Sequence, residues 1–343
     1  VLHRYQTSAT LRFECLPGDY RMRIAANLGR DLGDSPASED FIVTHADEYD
    51  VLPMSYESDV TISPSPGGVL TLPTVEVRRC VAKVSYAIAV EPADIELRSL
   101  QLLSVPRSTF LFDAAAPSEN PDDYKDCLEV ELAGRQAEGD CYLLPNMQGT
   151  VSSITDQRQK NPENAPANAS YLLIRAVRGA KVLAYYVYLG GNNTSDFNVR
   201  ANVHYRLNIS ILGDKEVDTR VSSYTLRVRD DFDDYNYGGY CLLDGTRYLY
   251  IDVDSPDDTA PTRGRLEVLS GDLNWFAFNY GDKGAVHDFD LFDSSGENAY
   301  EMEYYTPVYT PENSLLSYRI TLTDALGFTQ SYDFTHRMAN AAI

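Results

Sequence analysis

Residues 204–211 read His204-Tyr-Arg-Leu-Asn-Ile-Ser-Ile211, and this stretch decides the fold class. Its odd-numbered positions are apolar or aromatic and its even-numbered positions are polar. Because successive side chains of a β-strand point to opposite faces, a period of two predicts a strand with one buried face. We therefore expect Leu207 to lie in a core and Arg206 to face solvent.

The same alternation recurs in residues 82–90 and again in residues 316–322. Many shorter apolar runs, such as Val182 to Leu189, are bounded by turn residues and also read as strands. Short and numerous strands are typical of β-sandwiches and β-barrels. The sequence thus predicts an all-β protein, and a regular βαβ alternation is absent.

One stretch favours a helix. Ser38 can cap it, Glu39 and Asp40 suit the first turn, and residues 41–51 contain neither Gly nor Pro. We expect a single minor helix here.

The length of 343 residues exceeds one typical domain. Residues 221–343 hold 8 Lys and Arg against 21 Asp and Glu, together with the only Trp, which sets them apart from the preceding sequence. An earlier boundary is placed after Val90, where Glu91, Pro92 and Asp94 interrupt the strand pattern. Three domains are predicted: 1–90, 91–220 and 221–343.

The formal net charge is -22, which repels phosphate backbones, so nucleic acid is not expected as a partner. No apolar run approaches the ~20 residues of a membrane helix. The 5 cysteines lack C-x-x-C spacing, which argues against a zinc site and a disulfide framework, although Cys127 and Cys141 could bridge across a hairpin.

No catalytic signature accompanies the 5 histidines, which are widely separated in sequence. H-E-x-x-H, G-x-S-x-G and phosphate-binding glycine loops are all missing. His204 falls on the polar face of its strand and reads as structural. We therefore predict that the protein is not an enzyme and needs no cofactor.

The densest acidic cluster runs from Asp230 to Asp234, and Asp231, Asp233 and Asp234 are its candidate metal ligands. Oxygen-rich loops of this kind suit Ca²⁺. The spacing departs from a calcium-binding loop because Tyr235 occupies a ligand position and no Glu closes the loop. A solvated interdomain loop is the favoured interpretation, and no metal is expected.

Aromatic residues are dense after residue 270, and exposed rings can stack on sugars or anchor a protein interface. By alternation, Phe276, Phe278 and Tyr280 share one strand face and are predicted to be core. Trp275 falls on the opposite face. Three residues are the candidate ligand contacts: Trp275, Tyr304 and Tyr305.

Several segments, taken in order, resemble the fimbrillin family, the type V pilins of Gram-negative anaerobes. They are Leu52-Pro-Met-Ser55, Val77-Arg-Arg-Cys-Val-Ala-Lys-Val84, Leu144-Pro-Asn-Met-Gln-Gly149, Tyr188-Leu-Gly-Gly-Asn-Asn-Thr-Ser-Asp-Phe-Asn198 and Val199-Arg-Ala-Asn-Val-His-Tyr-Arg-Leu-Asn-Ile209. The resemblance covers about residues 10 to 220.

This resemblance implies tandem transthyretin-like or immunoglobulin-like β-sandwiches and export to the cell surface, through a lipoprotein precursor at the outer membrane. It further implies that other pilin subunits are the partners, joined by donor-strand exchange. In that mechanism a neighbour's extended segment completes a sandwich that lacks a strand.

The chain departs from stalk fimbrillins by the acidic, Tyr-rich residues that follow Arg220. We therefore expect a tip or minor subunit of the fimbrium whose C-terminal domain binds a host or bacterial surface glycan or protein. The alternatives are a membrane-proximal anchor fimbrillin and, in a different class, a carbohydrate-active enzyme.

Overall fold

The protein is almost entirely built from β-strands in its computed structural model. The structure describes residues 12–32, 36–65, 67–112, 117–214, 221–232, 236–237, 240–242, 246–256, 258–304 and 315–339. In these ranges there is no α-helix, and the three 3-10 helices are Ser38–Phe41, Pro121–Asp123 and Gln157–Gln159. None of the helices within these ranges is long and apolar enough to cross a membrane. The predicted all-β class is confirmed.

The chain divides into two compact units. The first comprises residues 1–176 and 185–221, and the second comprises residues 177–184 and 222–343. A short hairpin tip, 177–184, thus belongs to the second unit although it precedes residue 221. The separation of residues 1–90 from residues 91–220 stays a prediction.

Strands β1 to β16 belong wholly or mainly to the first unit. They are β1 (Gly18–Ala26), β2 (Ile42–Thr44), β3 (Met54–Ile62), β4 (Arg78–Arg79), β5 (Ala82–Val90), β6 (Glu96–Leu103), β7 (Val105–Pro106), β8 (Ser108–Phe110), β9 (Tyr124–Lys125), β10 (Val130–Glu131), β11 (Gln136–Leu143), β12 (Asn146–Thr150), β13 (Tyr171–Arg178), β14 (Lys181–Tyr188), β15 (Asp196–Val199) and β16 (His204–Ile211).

Strand β5 is the centre of one sheet in the first unit. It pairs antiparallel with β11 and parallel with β16, in a register that places Leu207 opposite Tyr86. Tyr205 and Ile211 are buried, Leu207 and Ile209 are half-buried, and the even-numbered residues of β16 are exposed. The alternation that predicts this strand is therefore confirmed.

The second unit contains strands β17 to β26. They are β17 (Val221–Asp230), β18 (Asn236–Tyr237), β19 (Tyr240–Leu242), β20 (Arg247–Asp254), β21 (Pro261–Ser270), β22 (Phe276–Phe278), β23 (Val286–Asp290), β24 (Glu297–Tyr304), β25 (Leu315–Asp324) and β26 (Thr329–Ala339).

These strands form a β-sandwich. One layer consists of four neighbouring strands of a larger sheet, in the order β17-β20-β24-β22, and the other is a sheet with the order β18-β19-β26-β25-β21-β23. Both sheets contribute to a single core, with Leu226, Ile251 and Tyr300 from the first and Leu266 and Tyr318 from the second. Burial of alternate residues on both sheets is the expected pattern for packed antiparallel sheets.

The predicted helix over residues 38–51 is wrong beyond its first turn. A 3-10 turn spans Ser38–Phe41, with the Asp40 carboxylate accepting a hydrogen bond from the Ala37 amide at 2.8 Å. The chain then enters β2, whose three residues Ile42, Val43 and Thr44 are β-branched and favour strands. Pairing of β2 with β8 supplies non-local backbone hydrogen bonds in place of a helix.

Candidate functional site

The candidate ligand contact Trp275 lies in a turn of the second unit. Its backbone amide donates to the carbonyl of Asp272 at 2.9 Å, closing the turn that leads into β22. The residue is 37% exposed, so part of the indole is available at the surface. Its role as a ligand contact stays a prediction.

Tyr304, a second candidate, lies in the core. It is 3% exposed, and its hydroxyl accepts a hydrogen bond from the Asp272 amide at 3.0 Å. Burial raises the pKa of the phenol. Tyr304 thus supports the turn that carries Trp275 from beneath. The third candidate, Tyr305, lies outside the described residues.

Tyr280 differs from its prediction as a core residue. Phe276 and Phe278 are buried as expected, whereas Tyr280 is 87% exposed. Asn279 and Tyr280 have φ angles of 43° and 68° in the left-handed region, so the strand ends after Phe278 and the alternation stops. The tight turn therefore places the side chain of Tyr280 in solvent.

Trp275 and Tyr280 are two of five exposed apolar or aromatic residues in the segment that runs from the end of β21 to the start of β23. The ammonium of Lys283 donates to the carbonyl of Asn274 at 3.3 Å, which holds the turn of Trp275 beside the turn of Tyr280. We call this surface the aromatic rim; its members are Leu269, Leu273, Trp275, Tyr280 and Val286, each at least 37% exposed. Exposed planar rings suit stacking on a sugar or a protein side chain.

The acidic cluster is partly internal. Asp230 accepts a hydrogen bond from the Tyr318 hydroxyl and lies 2.7 Å from Nε2 of His336. Asp231 is buried and accepts from the Tyr248 amide at 2.7 Å. The interpretation of a wholly solvated loop is therefore wrong for Asp230 and Asp231. Asp233 and Asp234 lie outside the described residues, so their role as metal ligands stays untested.

A serine, a histidine and an aspartate meet on the exposed face of the β11-β5-β16 sheet. Nε2 of His204 lies 2.7 Å from the hydroxyl of Ser85, and that hydroxyl donates to Asp140. A hydroxyl has one hydrogen, so His204 must be the donor in its contact with Ser85. In this arrangement the histidine is a donor to the serine, unlike the base of a nucleophilic triad.

The thiols of Cys127 and Cys141 are both free, together with those of Cys15 and Cys80. Cys141 lies on β11 and Cys127 lies between β9 and β10, so they are not partners across a hairpin. Burial raises the pKa of both to about 12. The bridge that the sequence left open for this pair is not formed.

Strand β1 offers a sheet edge in the first unit. It pairs with β3 over nine residues, from Gly18 opposite Ile62 to Ala26 opposite Met54, and the sheet order is β1-β3-β4. None of its residues is buried. Within the described part of the chain its outer edge is unpaired, and an edge of this kind can pair with another strand.

The family model that matches this chain is described as a domain of unknown function, DUF4906, and covers residues 141–209. No curated protein matches the chain by sequence.

Two solved structures match part of this chain. The tip fimbrial protein Mfa3 from Porphyromonas gingivalis, with a C-terminal truncation, is 18% identical with a TM-score of 0.35, over 54% of this chain and 70% of that protein. The major pilin subunit BcpA of Bacillus cereus is 8% identical with a TM-score of 0.27, over 76% of this chain and 69% of that protein.

Proposed function

We propose that this protein is a structural and adhesive subunit of a bacterial surface pilus, assembled by strand complementation and positioned at the tip or as a minor component. It is exported and displayed at the outer membrane. The first unit accepts a strand from another pilin subunit, and the second unit binds a surface glycan or protein. The segments that resemble fimbrillins support the assignment to this class.

The observation that carries the tip assignment concerns β26. This strand pairs antiparallel with β25 over residues 329–337, and its last two residues, Met338 and Ala339, pair parallel with β19. The two strands β25 and β26 are adjacent in sequence and form a hairpin. A strand held by two neighbours must break both ladders before it can pair elsewhere, so β26 is a poor donor.

The acceptor role rests on β1. It has one paired neighbour among the described strands and no buried residue, so its removal breaks one ladder and exposes little core. A neighbour's extended segment can then restore the same backbone hydrogen bonds to β3. Strand exchange at this position therefore has a small free-energy cost.

A reversible lock between β1 and β3 tests the acceptor role. Ile24 and Tyr56 face each other in the register, so Ile24→Cys with Tyr56→Cys places a disulfide across the pair. We expect the oxidised variant to stay out of fibres and the reduced variant to enter them. The matched control locks Arg265→Cys to Thr321→Cys in the second unit and should enter fibres in both states.

Location within the fibre tests the tip assignment. Immunogold labelling with antibodies against residues 222–343 should mark one end of each isolated fibre, the end distal to the cell. Gold at the cell-proximal end would instead identify an anchor, and gold along the shaft would identify a stalk subunit. Incorporation of the oxidised Ile24→Cys, Tyr56→Cys variant would contradict strand acceptance at β1.

A further inference from the structure

Three potential metal ligands from distant parts of the sequence meet in the first unit. They are Nδ1 of His45, a carboxylate oxygen of Asp47 and Sγ of Cys127, and these atoms lie within 4.8 Å of one another. His45 directly follows β2, Asp47 comes two residues later, and Cys127 lies between β9 and β10.

One ring nitrogen of His45 makes a hydrogen bond, and the other makes none. Nε2 lies 3.0 Å from the carbonyl of Tyr142 and therefore donates to it. The side chain is 0% exposed, and Nδ1 is buried without a hydrogen-bond partner. A neutral imidazole with its proton on Nε2 carries a lone pair on Nδ1. An unsatisfied acceptor of this kind is costly when buried, and its lone pair is directed towards the cluster.

This arrangement is the one that metal-bound histidines adopt. They nearly always donate the second ring N–H to a carbonyl or carboxylate, which fixes the tautomer and the ring orientation. The carbonyl of Tyr142 has that position here.

The backbone around the ligands is held by neighbouring strands. The His45 amide donates to the carbonyl of Arg107 at 2.8 Å, and the Cys127 amide donates to that of Leu102 at 2.9 Å. The carbonyl of Cys127 accepts from the Gln101 side chain, also at 2.9 Å. The histidine and the thiol are therefore presented from fixed positions.

The donor set selects the kind of ion. Ca²⁺ and Mg²⁺ are bound through oxygen, whereas imidazole, thiolate and carboxylate together suit Zn²⁺. We propose that His45, Asp47 and Cys127 form a binding site for Zn²⁺ or a similar divalent transition-metal ion. Three protein ligands leave a fourth position of the usual tetrahedron for water or another side chain.

One neighbouring charge lies beside the site: the ammonium of Lys125 is 3.0 Å from Oδ1 of Asp47. Zn²⁺ is bound by the thiolate, so the ion must displace the thiol proton of Cys127 when it binds. A bound ion would join the segment after β2 to the segment before β10 and stabilise the first unit.

Cobalt absorption and thermal unfolding of the full-length chain test the site, with any purification tag removed and a non-thiol reductant present. Co²⁺ should produce the near-ultraviolet band of a cobalt thiolate with one equivalent bound, and Zn²⁺ should abolish it. Zn²⁺ should also raise the melting temperature of the parent by several degrees, since a ligand that binds the native state stabilises it.

Variants test whether the cobalt band and the rise in melting temperature come from His45, Asp47 and Cys127. His45→Gln and Cys127→Ser should lose both the band and the shift, while Cys15→Ser, which removes an exposed thiol, should keep both. Retention of the band in Cys127→Ser, or its loss in Cys15→Ser, would overturn the proposal. Absence of the band in the folded parent would overturn it without reference to any variant.

Discussion

Gly190 and Asp196 approach each other so closely that only glycine fits. A Cβ atom on Gly190 would lie 1.7 Å from the carbonyl oxygen of Asp196, far inside van der Waals contact. That same carbonyl accepts a hydrogen bond from the buried ammonium of Lys160 at 2.8 Å, and the ammonium also donates to the carbonyl of Asn192 at 2.7 Å. The loop after β14 is thus closed around a lysine.

We predict that Gly190→Ala destabilises the first unit by more than about 3 kcal/mol, because the clash is with backbone that cannot rotate away. Gly191→Ala is the matched control, since its Cβ would meet only the end of the Asp196 side chain, at 2.6 Å. It should cost less than about 1 kcal/mol. Urea unfolding curves of the two variants measure the difference, and equal midpoints would contradict the prediction.

Lys160 predicts a pH dependence of stability. Burial lowers its pKa from 10.5 to about 8, so between these values the folded protein has released a proton that the unfolded chain still binds. The free energy of unfolding therefore rises with pH through this window, and the gain is lost as pH falls through about 8. We expect a gain of about 2 to 3 kcal/mol relative to Lys160→Met, measured by urea unfolding.

Lys83 provides the control for that measurement. The ammonium of Lys83 pairs with Asp140 at 2.6 Å, and this hydrogen bond raises the pKa of the lysine. The pair therefore stabilises the folded state fully at pH values below the ordinary pKa of lysine. This stabilisation declines as the pH rises above that value. Lys83→Met should therefore show no relative gain for the parent between pH 8 and pH 10.5. If the difference in the free energy of unfolding between the parent and Lys160→Met did not change over this pH range, the lowered pKa of Lys160 would be excluded.

The buried contact between Asp230 and His336 predicts a large loss on truncation. Their side chains are each 4% exposed, and Asp230 also accepts from Tyr318. Asp230→Ala removes the buried carboxylate that both partners contact in the core of the second unit and should cost about 3 to 5 kcal/mol. Asp333→Ala, which removes an exposed partner of Arg319, should cost less than about 1 kcal/mol. Similar melting temperatures for the two variants would refute this assignment.

If the aromatic rim binds a ligand, removing its rings should weaken adhesion and leave the stability of the fold nearly unchanged. Trp275→Ala combined with Tyr280→Ala should reduce adherence to cells that bind the parent by at least about tenfold, because aromatic anchors dominate such interfaces. The melting temperature should change by only a few degrees, since Tyr280 is 87% exposed. Flow cytometry with labelled protein gives the measurement. Phe292→Ala, which removes a 74% exposed ring beyond the opposite end of β23, is the control and should adhere like the parent.

The prediction of the strands succeeded because alternation is a local property. Residues 82–90, 204–211 and 316–322 each show one buried face in the structure, as their sequence indicates. The hairpin of β25 and β26 was likewise predictable, since its turn and both strands are adjacent in sequence. Tyr280 was not, because two left-handed residues end its strand after Phe278.

By itself the sequence determined the all-β class, the faces of the clearest strands and the acidic character of residues 221–343. Only the tertiary structure decided which distant side chains meet: Asp230 with His336, Lys160 with the carbonyl of Asp196, and His45 with Cys127. The physical reason is that the inward or outward direction of a side chain follows from the two-residue period of its own strand. Contacts between strands depend on sheet order and register, such as the parallel pairing of β5 with β16, which a local pattern does not contain.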